Sequence, residues 1–227
     1  MENFYTEAAF MSLAGLDLLL VYLASRLGVN YLAATIPANL LYTNVISGKL
    51  ITIFGLTTTL GNATFIGIYF ASDLLCEHGY RDLSRSSLNH GLLALLILIT
   101  LSPIAVSIAG CQENKVFSDA LSIVLGSSFR IVVASATAYF LSSQLNINLY
   151  MFLRKKVENA SCCNFLSATA AYSLDQLVFI SIAFLGSVTS PLFFELLLTG
   201  MLIKLFCAIT EAAVFSRAAR YNPKSKD

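Results

Sequence analysis

Seven apolar runs divide the chain, at residues 8–27, 31–47, 61–77, 90–110, 119–151, 166–187 and 191–217. A helix crosses a bilayer with about 20 largely apolar residues, and lipid offers no partner to an unpaired backbone group. Runs of this length therefore point to a bundle of spanning helices. Composition agrees: 57% of the 227 residues are hydrophobic and 12% are charged, against about 25% charged in a soluble domain. The expected fold class is an all-α polytopic membrane protein with little room for a separate soluble domain. The run 119–151 is longer than the bilayer core at ~1.5 Å per residue, so it tilts, breaks near Ser142 or projects beyond the membrane. Glu2 and Glu7 precede the first run and Arg26 closes it, the wrong polarity for a cleaved signal peptide.

The basic residues test the count of seven. With seven spans, Arg26, Arg81, Arg85, Arg154, Lys155, Lys156, Arg217, Arg220, Lys224 and Lys226 share one side, and Lys49 and Lys115 the other. Arg130 and Lys204 lie within runs. This asymmetry predicts a cell (inner) membrane protein with its amino terminus outside and its carboxyl terminus in the cytoplasm. The net charge of +1 argues against nucleic acid as a partner. The five cysteines form no CxxC and no His-linked spacing, so neither a disulfide framework nor a metal site is expected. The only histidines are His78 and His90, and HExxH, GxSxG and Walker motifs are missing. An enzyme is therefore not expected, and no cofactor is implied.

Two stretches differ from plain spans. In YFASDLLCEHGYRDLSR, Asp73 and Glu77 sit four residues apart on one helix face. Gly79 is a natural helix stop. Arg81 and Arg85 follow, placed to pair with the carboxylates or to face lipid headgroups. The stretch reads either as a solvated helix end or as a site or structural lock. In KLITIFGLTTTL, β-branched residues alternate around Gly55, which predicts a short β-hairpin on the outer face over 48–60. It reads as a packed external loop, with a lid over a substrate entrance as the second reading.

By depth along the runs, Asn39, Arg130, Asp175 and Lys204 fall near mid-membrane, and Asp73 nearer the cytoplasmic end. Charges there cost several kcal/mol each if they face lipid. They are expected to face the interior, with Asp175 pairing with Arg130 or Lys204. The result is either a salt-bridge network that fixes packing or a polar pocket. Gln144 and Asn148 share a face of their helix, while Asn146 points elsewhere. Ala34 and Ala38 form a small-xxx-small pair.

These residues carry a resemblance. FGLTTTLGNATF followed by IYFASDLLCEHG resembles the opening signature of the YhhQ (Vut) family of queuosine precursor transporters. SFRIVVASATAYFLSSQLNINLY and SATAAYSLDQLVFISIAFLG resemble two further helices of that family, and Lys204 with Thr210 resembles its final one. The matches run in order over about residues 31–217. They imply a six-helix core (31–217), similar to the substrate-binding components of energy-coupling-factor vitamin transporters. Residues 1–30 would then be an additional amino-terminal spanning helix, and 218–227 a basic cytoplasmic tail. Departures from the family pattern are Asn146 in place of Asp, Ala168 in place of Thr, Cys163 near a missing arginine, and Glu211 in place of a proline after Thr210.

The resemblance implies import of 7-deazaguanines such as preQ0, preQ1 or queuine. The expected substrate-binding set is Asn39, Asp73, Glu77, Arg130, Gln144, Asp175 and Lys204. Asp175 would accept from the guanine-like edge, with Asn39 and Arg130 completing the pocket. Asp73 and Glu77 would close the cytoplasmic end or meet a cationic side arm. Phe65, Tyr69, Tyr139 and Phe179 are candidates to flank the ring. Replacing Asp175 by Asn is expected to abolish uptake at unchanged membrane abundance. Expected partners are the deazaguanine and membrane lipid, with a homo-oligomer or an energising partner left open. Two other readings stay open. One is a vitamin-type binding component that depends on a partner docking at Ala34 and Ala38. The other is a non-transporting structural membrane protein.

Overall fold

A computed structural model describes residues 2–220 apart from 109, 112–113 and 126–128. Its elements are α1 (Glu2–Leu27), α2 (Val29–Ile46), β1 (Leu50–Ile53), β2 (Leu56–Thr59), a 3-10 turn (Leu60–Ala63), α3 (Ile66–Glu77), α4 (Arg81–Ser107), α5 (Lys115–Leu125), α6 (Phe129–Arg154), α7 (Ala160–Phe184) and α8 (Ser190–Ala219). Among the described residues, four helices are long and apolar enough to cross a membrane, or five if α5 and α6, at 44° to each other, form one broken span. Leu16, Leu20 and Leu23 of α1, Leu96, Leu101 and Ile104 of α4, and Phe194, Leu198, Leu205 and Ile209 of α8 point outward. Such apolar outer faces suit lipid and would be a liability in water. The chain is an all-α polytopic membrane protein.

The bundle is organised around α3. Every residue of this helix except Glu77 is buried, and it touches α1, α2, α4, α6, α7 and α8. A helix apolar on all sides can only sit inside others. At 12 residues it is about 18 Å long, so the run 61–77 does not form a full-length span. Its first residues tighten into the 3-10 turn instead. The helix stops at Gly79 (φ 85°), where Tyr80 N–H donates to Leu75 O and Gly79 N–H to Cys76 O.

Helices α4 and α7 begin well before their apolar runs. In α4 the first turns are polar, but Ser84 and Ser87 are buried, and Ser84 Oγ lies 3.0 Å from Ser72 Oγ of α3. In α7 the Asn159 side chain caps the helix by accepting from Cys162 N–H. The long run 119–151 does not break at Ser142. The change of direction lies between α5 and α6, and Ser142 Oγ donates back to Ala138 O at 2.6 Å.

The expected hairpin forms, pairing Leu50 with Thr59 and Ile53 with Leu56. Phe54 (φ 51°) and Gly55 (φ 77°) both take positive φ, as a two-residue turn of this hand requires. The hairpin is tied down at two points. Phe54 N–H donates to Glu7 of α1 and Thr57 N–H to Glu195 of α8. It thus sits where α1 and α8 begin, where α2 ends and where α3 starts. Glu77 and Arg154, at the last turns of α3 and α6, meet at the opposite end.

Helix α1 is built into this core. The buried Asp17 accepts from Asn39 Nδ2 of α2 at 2.7 Å and from the Gly67 N–H of α3 at 3.0 Å. A Cβ on Gly67 would stand 2.5 Å from both side chains. Only glycine lets the three helices come this close.

Candidate functional site

Two polar clusters occupy the interior, both built on α7 and α8. The first lies beneath the hairpin. Lys204 Nζ donates to Asp175 Oδ2 at 2.6 Å, with both side chains almost fully enclosed. The same Nζ stands 4.7 Å from the centre of the Phe65 ring, a cation–π contact strengthened by desolvation. Tyr69 O–H donates to Ser142 Oγ at 2.6 Å, and that oxygen lies 3.4 Å from Asp175 Oδ1. A cavity of about 30 Å³ adjoins the pair, lined by Thr43, Asn44, Thr59, Phe65 and Phe179 among others. That is room for about one water. Asn44 Oδ1, in this lining, has no hydrogen-bond partner.

The second cluster lies deeper along α3. Asp73 is fully buried and accepts from Asn146 Nδ2 (2.6 Å), Asn164 Nδ2 (2.9 Å) and Ser167 Oγ (3.2 Å). The same Asn164 nitrogen donates to Glu211 at 2.7 Å, and Tyr172 O–H donates to the other Glu211 oxygen at 2.9 Å. Glu211 is also fully buried. Aromatic rings join the clusters: Tyr69 packs edge-on to Tyr172 at 4.9 Å and to Phe65 at 5.4 Å.

Glu77 closes the end of α3. Arg154 holds it with two N–H donors, at 2.7 and 2.8 Å, and Tyr150 O–H adds a third bond at 2.6 Å. Arg81 and Arg85 do not pair with the carboxylates; both donate to Asn148 Oδ1 of α6.

The expected site residues therefore separate into groups. Asp175 and Lys204 meet, so the pairing of Asp175 is with Lys204 and not with Arg130. Asp73 and Glu77 are interior and end-of-helix groups with different partners. Asn39 serves Asp17, away from the cavity lining. Arg130 does not join the interior groups. It is exposed in the first turn of α6, where it donates to Ile182 O, Leu185 O and Ser187 Oγ at the end of α7. There it satisfies carbonyls that the helix terminus leaves free. Gln144 is half-buried on α6, about 200° around the helix from both Ser142 and Asn146. The inward stripe is Ala138, Ser142, Asn146 and Tyr150, spaced by four. Of the ring candidates, Phe65 and Phe179 line the cavity, while Tyr69 and Tyr139 are buried and bonded to Ser142 and Leu88 O.

Glu211, Asn164 and Asp17 are interior residues that the reading by depth passed over. A signal for two of them existed. Glu211 follows Lys204 by seven residues, and Asn164 precedes Asp175 by eleven, spacings that return to the same helix face.

A shell of lipid-facing helices around buried, paired polar groups defines an integral membrane protein. The chain belongs to the family described as "Putative vitamin uptake transporter", whose model matches residues 59–218. It is also similar to a protein of Bacillus subtilis (strain 168) named "Probable queuosine precursor transporter". The two are 28% identical over 174 residues, which cover 75% of this chain and 73% of the relative. No solved structure matches the chain.

Proposed function

We propose that the protein imports queuosine precursors, 7-deazaguanines such as preQ0, preQ1 or queuine, across the cell (inner) membrane. The base is held between Asp175 and Lys204. The observation that carries this reading is the enclosed Asp175–Lys204 pair, set against Phe65 at a cavity directly under the hairpin. A 7-deazaguanine offers an N–H and an amino group on one edge, which a carboxylate accepts at two points, and a carbonyl that needs a donor. Inserting the base exchanges one ion pair for two charge-assisted contacts, with Phe65 and Phe179 at the ring faces. The relative's name supports the same cargo class.

A cavity of about 30 Å³ is far below the several hundred Å³ of a ligand pocket, so this is a closed form. Entry requires the hairpin and the adjoining end of α2 to move, which makes the hairpin a lid. The distribution of basic residues supports an outward-facing hairpin and a cytoplasmic carboxyl terminus. Asp73 and Glu77 then lie on the cytoplasmic side of the cargo. Asn39, Arg130 and Gln144 support the helices around it and do not touch the base.

Binding of labelled preQ1 to the purified protein tests the site. The variant carrying both Asp175→Asn and Lys204→Met keeps its volume, leaves no lone charge, and is expected to fold without binding. Equal binding by this variant would remove the pair from the cargo site.

A second reading, a binding component that needs an energising partner, draws on Ala34 and Ala38, both exposed on α2. Such a protein binds cargo but does not accumulate it when expressed alone.

A further inference from the structure

We propose that Asp73 and Glu211 form a buried proton-binding site that is loaded and unloaded during transport. The coupling to transport rests on the importer reading above; the proton site itself rests on geometry alone.

Both carboxylates are fully buried and share one donor, the Asn164 Nδ2, at 2.9 and 2.7 Å. Their nearest oxygens are therefore within about 6 Å of each other, where two buried anions repel strongly. Two other enclosed carboxylates have a cation, Asp175 with Lys204 and Glu77 with Arg154. The buried Asp17 has none among the described residues but stands apart from any second carboxylate, with Asn39 and the Gly67 N–H as its donors. Among the described residues, no lysine or arginine is hydrogen-bonded to Asp73 or Glu211. The titratable neighbours are Glu77, Cys76 and Tyr69 on α3, Tyr150 on α6, Cys163 and Tyr172 on α7 and Cys207 on α8. None of these brings a positive charge. On α4, Arg81 and Arg85 are engaged with Asn148.

A second observation points to a missing donor. Asn146 and Asn164 each use Nδ2 on Asp73, and each leaves its amide oxygen buried without a partner. Two carboxylates and two idle acceptors thus face too few hydrogens. One proton resolves the shortage. Added to a carboxylate oxygen, it forms an O–H bond that donates to the other carboxylate or to an Asn oxygen once that amide has turned. No other bond is made or broken.

The proton is the ligand that fits. Neither carboxylate lines the cavity at Asp175 and Lys204. No group of three or more His, Cys, Asp or Glu able to hold a metal occurs among the described residues. The site is also connected to the cargo cluster: Tyr172 donates to Glu211 and its ring packs on Tyr69, whose hydroxyl reaches Ser142 beside Asp175. Displacing Phe65 or Tyr69 for cargo would disturb Tyr172 and with it the hydrogen bond to Glu211.

Infrared titration of the purified protein in lipid bilayers reads the proton directly, because a carboxylic acid and a carboxylate absorb separately. The expected result is an acid band that persists well above pH ~4, where exposed Asp and Glu ionise. It survives Asp17→Asn, which removes the other buried carboxyl without a cation, and is lost on adding Glu211→Gln or Asp73→Asn. Its absence from the unsubstituted protein, its loss in Asp17→Asn alone, or its survival of both added substitutions, would overturn the proton site. In vesicles, an inward gradient of one pH unit is expected to drive about tenfold accumulation of labelled preQ1 if one proton accompanies each molecule. Glu211→Gln should lose this accumulation. Accumulation driven by a sodium gradient without a pH gradient would overturn the coupling. Failure of the unsubstituted protein to take up any deazaguanine would count against the cargo reading, while the infrared result would still decide the proton site.

Discussion

Asp17 and Asn39 meet at 2.7 Å, joining the first helix to the second through a side-chain contact inside the membrane. The same carboxyl takes the Gly67 N–H, so one residue fastens α1 to the central helix as well. Asp17→Ala leaves a buried amide and a backbone N–H unsatisfied, at about 1–3 kcal/mol each. The variant is expected to unfold at lower temperature in detergent, with Asp17→Asn affected less. Gly67→Ala should be at least as harmful, because its Cβ has no room.

The Asp175–Lys204 pair makes single substitutions ambiguous. Removing one partner of a buried ion pair costs about 3–5 kcal/mol, whatever the pair is for. Lys204→Met alone is therefore expected to lower membrane abundance, and adding Asp175→Asn should restore it. Quantifying both variants in isolated membranes checks this. Uptake should stay absent in the double variant after abundance returns.

Glu77 and Arg154 are partly exposed, at 17% and 29% of their side-chain surface, so their pair contributes less, on the order of 1 kcal/mol. The two-point geometry matters more than the charge. Arg154→Lys should recover only part of the stability lost in Arg154→Met, because an ammonium cannot reproduce the fork. Thermal melts of the three proteins would show the order.

The hairpin is anchored by two carboxylates, Glu7 on Phe54 N–H and Glu195 on Thr57 N–H. Glu195→Ala is expected to raise hydrogen exchange across β1 and β2 while leaving α7 protected. Gly55→Val, at φ 77°, should strain the turn by about 1–2 kcal/mol and loosen the same strands.

Local chemistry was readable in advance, and facing was not. The hairpin follows from its threonines and Gly55, the end of α3 from Gly79, and a buried cation for Asp175, either Arg130 or Lys204, from the cost of charges in lipid. Depth along an apolar run gives the level of a residue but not the side it points to. Depth alone therefore places Arg130 in the pocket although it caps α7, and does not tell the outward Gln144 from the inward Asn146. Heptad-like spacing on α8 would have joined Glu211 to Lys204. The departures from the family pattern are informative in hindsight: Asn146 and Glu211, together with Asn164 beside Cys163, gather around Asp73. Scattered in sequence, they look like unrelated substitutions; folded, they are one hydrogen-bonded cluster. The shortness of α3 is hidden in the sequence because residues 61–65 run straight into its apolar stretch, whereas in the fold they belong to the turn below the hairpin.

The most direct measurement is uptake of labelled preQ1 and queuine by this chain, expressed alone in cells that lack queuosine synthesis and their own importer. Those cells must carry the enzymes that convert each base. The account predicts queuosine in tRNA with the unsubstituted protein and none with the Asp175→Asn, Lys204→Met variant at equal membrane abundance. No queuosine from either base, with the protein verified in the membrane, would contradict it.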